Sequence, residues 1–238
     1  MDGTILTLGG GGFSTAPEGT DGRTLLDDFL LSLTGKERPS VCFVPTASGD
    51  SPEYADRFLR AFAGRAETSV LSLFGRDPWG YGDPAMVLEQ DVVYVGGGST
   101  ANLLALWRLH RLDERLREAA ANGTVLAGIS AGMNCWYAGS STDSFGPLRA
   151  LPDGLGFLPG SACPHYFGEA ERQAAYHRMV GTGELPDGHA ADDGVALLWR
   201  DGTLVEAVSE RPDGQAFRVS RVGEAVVETP LEVRYLGG

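Results

Sequence analysis

The sequence contains no run of the ~20 apolar residues needed to cross a bilayer as a helix, and no cluster of Lys or Arg. Its 19 basic side chains are outnumbered by 32 acidic ones, for a formal net charge of −13. A phosphate-tracking surface has nothing to build on, so neither nucleic acid nor an anionic membrane is expected as a partner. Cysteine is scarce as well: Cys42, Cys135 and Cys163 are odd in number, lie far apart and form no CxxC pair. That excludes a disulfide framework and a thiolate metal or redox site of the usual spacing, and it suits a reducing compartment. The opening residues Met1-Asp2-Gly3-Thr4-Ile5-Leu6 lack the basic stretch of a secretory leader. The expectation is a cytoplasmic protein.

What is present is a chain of 238 residues, 42% hydrophobic, enough for one sizeable core and read as a single domain over 1–238. Its first half alternates short β-rich runs with helical patterns. Strands are expected at Thr4–Leu8, Ser40–Val44, Ser69–Leu73, Val92–Val95 and Thr124–Ile129. Their largely unbroken apolar character suits strands buried on both faces. Between them, Leu25 to Leu33, Ser51 to Phe62, Leu103 to Trp107 and Asp113 to Ala121 carry helical spacing, with Ser51-Pro52 as an N-cap and first-turn proline. The pattern predicts an α/β fold: a three-layer α/β/α sandwich with a mostly parallel central sheet. Gly139–Gly160, rich in Ser, Gly and Pro, reads as a long irregular connection. A helix near Glu169–Val180 follows, then C-terminal β-hairpin strands at Val195–Trp199, Thr203–Val208, Gln215–Val219 and Ala225–Glu228.

Chemistry concentrates where the fifth strand ends. Gly128-Ile-Ser130-Ala-Gly132 is a G-x-S-x-G at a strand-to-helix junction, the setting of a nucleophile elbow, in which tiny residues permit a sharp turn that lifts the serine hydroxyl above the sheet edge. Ser130 needs a base to become a nucleophile. Of the four histidines, His165 is the best placed, after Pro164 at the end of the irregular stretch; His110, His177 and His189 sit in a helix end, a helix and a loop. An acid must then fix the ring. Asp143, 13 residues after Ser130, is the first choice, with Asp192 and Asp193 as rivals. Val95-Gly96-Gly97-Gly98-Ser99-Thr100 follows a strand and opens a helix, so the amide of Gly97 or Gly98 can join that of Ala131 at an oxyanion. The alternative for this loop, and for Gly9 to Gly12, is a phosphate cradle; neither run matches G-x-x-x-x-G-K-[ST].

Taken together, Val95-Gly-Gly-Gly-Ser-Thr100, Gly128-Ile-Ser-Ala-Gly-Met-Asn134 and Cys163-Pro-His-Tyr166 resemble the peptidase E and cyanophycinase family of serine peptidases. The resemblance implies a fold similar to the class I glutamine amidotransferases, with Ser130 as nucleophile, His165 as base, Asp143 as acid, and Gly98 and Ala131 at the oxyanion hole. It implies no metal and no organic cofactor. Peptidase E releases an N-terminal aspartate from dipeptides, so a basic group for the substrate carboxylate is expected, Arg172 first and Arg178 and Arg149 after it. Gly97 and Asp192 are expected to help line the pocket. A cyanophycinase-like isopeptidase, an esterase on the same scaffold and a non-catalytic small-molecule-binding module are the other readings. Relatives in that family include monomers and dimers, so a homodimer is compatible with the resemblance.

Overall fold

The computed structural model describes residues 2–17 and 21–238. In chain order its regular elements are β1 (Thr4–Leu8), α1 (Leu25–Ser32), β2 (Ser40–Val44), α2 (Pro52–Phe62), β3 (Glu67–Val70), β4 (Val92–Val95), α3 (Thr100–His110), α4 (Leu112–Ala121), β5 (Val125–Ile129) and α5 (Ala131–Asn134). Then come β6 (Tyr137–Thr142), β7 (Arg149–Leu151), β8 (Leu158–Cys163), α6 (Arg172–Thr182), β9 (Gly188–Ala191), β10 (Val195–Arg200), β11 (Thr203–Ser209), β12 (Ala216–Val222), β13 (Ala225–Pro230) and β14 (Val233–Tyr235).

Eight strands form one sheet in the order β14-β11-β10-β1-β5-β4-β2-β3. Its pairings are parallel except where β10 runs against β1 and β11 against β10. Successive side chains alternate between two cores. Leu6, Val41, Phe43, Val92, Tyr94 and Ala127 face the side where Leu26 and Leu30 of α1 and Phe58 and Phe62 of α2 pack. Ile5, Cys42, Val44, Val93, Val95 and Leu126 face Leu103 and Trp107 of α3 and Leu116 of α4. Helices thus cover both faces, as the sequence pattern predicts. The hairpin β10–β11 extends this sheet instead of standing apart from it.

The stretch Gly139–Gly160 is not the irregular connection expected. It contributes β6, β7 and the start of β8 to a second sheet ordered β13-β12-β9-β8-β6-β7. Ser140, Ser141 and Thr142 of β6 are almost completely buried, so this strand satisfies its burial with small polar residues and shows no apolar periodicity. Helix α6 packs on the same sheet through Tyr176, Met179 and Val180, against Cys163, Ala190, Phe217 and Val219. Among the described residues no helix is long and apolar enough to cross a membrane.

One buried carboxylate bears on stability. Thr24 caps α1 by accepting the Asp27 N–H, and Asp27 in turn accepts the Thr24 hydroxyl at 2.9 Å and the Phe13 N–H at 2.7 Å through Oδ2. Among the described residues its Oδ1 has no partner, and it lies with the likewise unpartnered hydroxyl of Tyr94 beside Gly12. Burial pushes the Asp27 carboxyl up from 3.8 to about 7. A raised carboxyl favours the protonated native state, so its contribution is complete below the unfolded value near 3.8 and is lost as pH rises through about 7. Asp27→Asn keeps an acceptor for Phe13 and Thr24 and offers an N–H to Tyr94. The variant is expected to be more stable than the parent at pH 8, with that advantage gone at pH 4; urea unfolding at the two pH values measures it.

Candidate active site

Ser130 follows β5, which lies between β1 and β4 in the sheet. Its hydroxyl therefore emerges between the two glycine loops, Gly9 to Gly12 after β1 and Gly96 to Ser99 after β4. The backbone at Ser130 has φ 57° and ψ −110°, a conformation that costs a non-glycine residue on the order of 1–3 kcal/mol and must be held by its surroundings. Two hydrogen bonds hold it: Ser130 N–H to Leu8 O at 3.0 Å, and Asn134 N–H to Ser130 O at 2.9 Å. The glycines of the motif are required sterically. A Cβ on Gly128 would collide with the Gly132 carbonyl, and one on Gly132 with the Val95 carbonyl. Ser130 is partly exposed, and its hydroxyl has no hydrogen-bond partner among the described residues.

His165 is pinned to the same strand end, its N–H donating to Gly9 O at 3.2 Å, one residue beyond the carbonyl that holds Ser130. It too has a positive φ, 53°. Its Nδ1 lies 2.6 Å from Asp193 Oδ1. The imidazole hydrogen bond holds the Asp193 carboxyl below its usual range, outweighing the opposite effect of burial. Asp193 is therefore ionised at neutral pH and accepts from Nδ1–H, which leaves Nε2 as the basic nitrogen. Gly10 makes room for this pair: a Cβ there would overlap Asp193 Oδ1 and come within 2.9 Å of His165 Nδ1.

Asp143, the expected third member, does not touch the imidazole. It lies just beyond β6, half-exposed, with Oδ2 3.5 Å from Arg172 Nη2. Its rival Asp193 occupies the position because the β9–β10 turn runs alongside Gly10. Arg172 is also placed differently from the expectation. Its side chain is 4% exposed, and Nε donates to Glu169 Oε2 at 2.6 Å. Two carboxylates of the chain itself thus already meet its charge. Asp192 accepts the Phe167 N–H through Oδ1 at 3.2 Å and supports the turn after His165.

The amides of the glycine loops divide by occupancy. Gly97 N–H donates to the Tyr54 hydroxyl at 3.2 Å, and Gly97 packs against the elbow, where a Cβ would stand 3.3 Å from Ser130 Cβ. The N–H groups of Gly98 and Ala131 have no acceptor among the described residues. After β1 the situation is reversed: Gly12 N–H donates to Glu210 Oε1 at 3.0 Å and Phe13 N–H to Asp27. Two amides of this loop are thus taken by the chain's own carboxyl groups, and the Glu210 carboxylate disfavours an anion beside them. The three cysteines are buried thiols. Cys135, one turn past Ser130, has its pKa pushed well up by burial, and burial pushes the Cys163 thiol to about 12, so neither supplies a thiolate. No group of three or more His, Cys, Asp or Glu side chains among the described residues converges to hold a metal ion.

A mostly parallel sheet with a strained serine at its carboxyl edge, between glycine loops and beside the strand end that also anchors an imidazole–carboxylate pair, makes this an α/β protein with a candidate nucleophile–base site. Residues 5–207 match the model of peptidase family S51, and the chain belongs to that family. It is 47% identical over 234 residues to the uncharacterized peptidase YgaJ of Bacillus subtilis (strain 168), covering 98% of this chain and 99% of that one. It is 31% identical over 189 residues to peptidase E of Shewanella sp. (strain W3-18-1), covering 74% and 77% of the two chains. The crystal structure of a peptidase from an acI-B1 actinobacterium superposes with a TM-score of 0.71 at 18% identity, over 98% of this chain and 95% of that one. The expected family and the mixed α/β fold are thus both found.

Proposed function

We propose that the protein is a serine peptidase acting on short peptides through an acyl-enzyme. The observation that carries this reading is the common anchoring of Ser130 and His165. Adjacent carbonyls of one strand end, Leu8 O and Gly9 O, hold the two backbones, while Asp193 orients the imidazole from the other side.

In the proposed reaction, Ser130 Oγ attacks the peptide carbonyl carbon as His165 Nε2 takes its proton. The carbonyl oxygen becomes an oxyanion facing the free amides of Gly98 and Ala131. The imidazolium, stabilised by ionised Asp193, returns the proton to the leaving amine as the C–N bond breaks. Water then adds to the acyl ester with His165 again as base, releasing the acid and restoring the serine.

Similarity to peptidase E supports an exopeptidase mode, with N-terminal aspartyl dipeptides the first substrates to try. Arg172 cannot be counted on to select them, because Glu169 and Asp143 already neutralise it. A panel of Asp-X dipeptides, other X-X dipeptides, β-aspartyl peptides and short esters separates aspartyl dipeptidase, general dipeptidase, isopeptidase and esterase. A fluorophosphonate is expected to form one covalent adduct, located at Ser130 by peptide mass spectrometry. Labelling at any other residue with peptide hydrolysis unimpaired would sink the assignment.

A further inference from the structure

The loop after β4 presents four consecutive amides, Gly96 to Ser99, and three of them are tied. Gly96 N–H donates to Val44 O at 3.2 Å and Ser99 N–H to Ala47 O at 2.8 Å. Gly97 N–H donates to the Tyr54 hydroxyl at 3.2 Å. Only the Gly98 amide is left without an acceptor among the described residues. Two of the three ties are main-chain bonds inherent to the fold. The third depends on a single side-chain oxygen, carried on a different element, α2.

We propose that Tyr54 is a positioning residue for catalysis: its hydroxyl fixes the peptide plane before Gly97 and so aims the Gly98 amide at the oxyanion. The inference rests on the serine-peptidase reading above. Tyr54 is built for such a task. It is 7% exposed, and its ring is wedged between Phe13 and Phe43, with centroids 5.5 Å and 5.1 Å away. Its oxygen lies 2.5 Å from Ser14 Oγ. Burial pushes the phenol pKa upward, so the O–H stays protonated; the hydroxyl shares a hydrogen bond with Ser14 Oγ and accepts the Gly97 N–H. The chain Ser14–Tyr54–Gly97 thus ends against Ser130, since a Cβ at Gly97 would stand 3.3 Å from Ser130 Cβ. An amide released from Tyr54 would have to find another acceptor, and rotating that peptide turns the next amide away from the reacting carbonyl.

The test is Tyr54→Phe, which keeps the ring in its aromatic setting and removes only the oxygen, with Ser14→Ala as a second variant one bond further out. Deleting an oxyanion donor costs about 100- to 1,000-fold in turnover; misaiming one is expected to lower kcat by roughly 10-fold, with KM changed less than about 3-fold. The discriminating probe is a peptide boronic acid, whose boron bonds to Ser130 Oγ and places a hydroxyl where the oxyanion forms. Its affinity is expected to fall by the same factor as kcat/KM in Tyr54→Phe, and by a smaller factor in Ser14→Ala. Wild-type kcat in Tyr54→Phe, or a lowered kcat with unchanged boronate affinity, overturns the inference. If Tyr54→Phe fails to fold, Ser14→Ala decides on the same two readouts. Activity surviving in Ser130→Ala would instead refute the serine mechanism, so the two failures are distinct.

Discussion

Ser130→Ala is expected to reduce peptide turnover by about 10⁴-fold or more while leaving the fold unchanged. The loss is large because the hydroxyl is the atom that bonds to the substrate, and removing the nucleophile of such a unit costs about as much as removing the whole unit. The fold should survive because the strain at φ 57° is held by main-chain bonds to Leu8 O and from Asn134 N–H, neither of which uses the hydroxyl. Alanine can adopt this backbone at the same cost as serine. The measurements are kcat/KM on the best substrate of the panel and thermal unfolding of the same preparation. Retained turnover by a folded Ser130→Ala protein would remove Ser130 from the mechanism.

The second large effect is expected at Asp193. Replacing it with Asn leaves a side chain of the same shape but presents an amide that can donate to Nδ1. The imidazole then favours the tautomer with its proton on Nε2, where it cannot accept one from Ser130. A loss of ~10⁴-fold in kcat follows from this tautomer reversal in a comparable triad, and 10²- to 10⁴-fold is the range expected here. Asp143→Asn is the paired control. It removes a half-exposed carboxylate 3.5 Å from Arg172, and its effect on kcat should stay within roughly 10-fold. Because the His165 hydrogen bond holds the Asp193 carboxyl below its usual range, protonation of this carboxylate should not set the acidic limb of the wild-type pH–rate profile. If Asp143→Asn proves silent and Asp193→Asn active, the order deduced from the geometry is reversed.

Some of this could be read from residue order and some could not. The elbow was legible because it is local: Gly128, Ser130, Ala131 and Gly132 lie within five residues, and their size alone dictates a turn that no bulkier sequence could make. His165 stood out because few histidines compete and Pro164 marks a break in regular structure. The acid was not. Asp143, Asp192 and Asp193 are chemically equivalent in one dimension, and Asp143 has the nearer spacing to Ser130. The strands of β6 were hidden for a related reason. Buried Ser140, Ser141 and Thr142 carry none of the apolar alternation that announces a strand. Tyr54 looked like one more apolar position on α2, as its ring indeed is; the role of its oxygen depends on where the β4 loop lies.

The sequence by itself therefore determined the α/β alternation, the serine at the end of the fifth strand, and the glycines without which that turn could not close. These depend on contacts between near neighbours, where side-chain volume and backbone freedom leave few solutions. Only the tertiary structure decided that Asp193 meets His165, that Asp143 faces Arg172, and that Gly97 rather than Gly98 finds an acceptor for its amide among the described residues. Each of these choices is made by strand order. The antiparallel β10 beside β1 brings the turn at Asp193 against Gly10, and β4 beside β2 brings the Gly96–Ser99 loop within reach of α2. Hydrogen bonds between such distant segments exist only after the sheet has assembled, so residue types identify the donors and acceptors while topology pairs them.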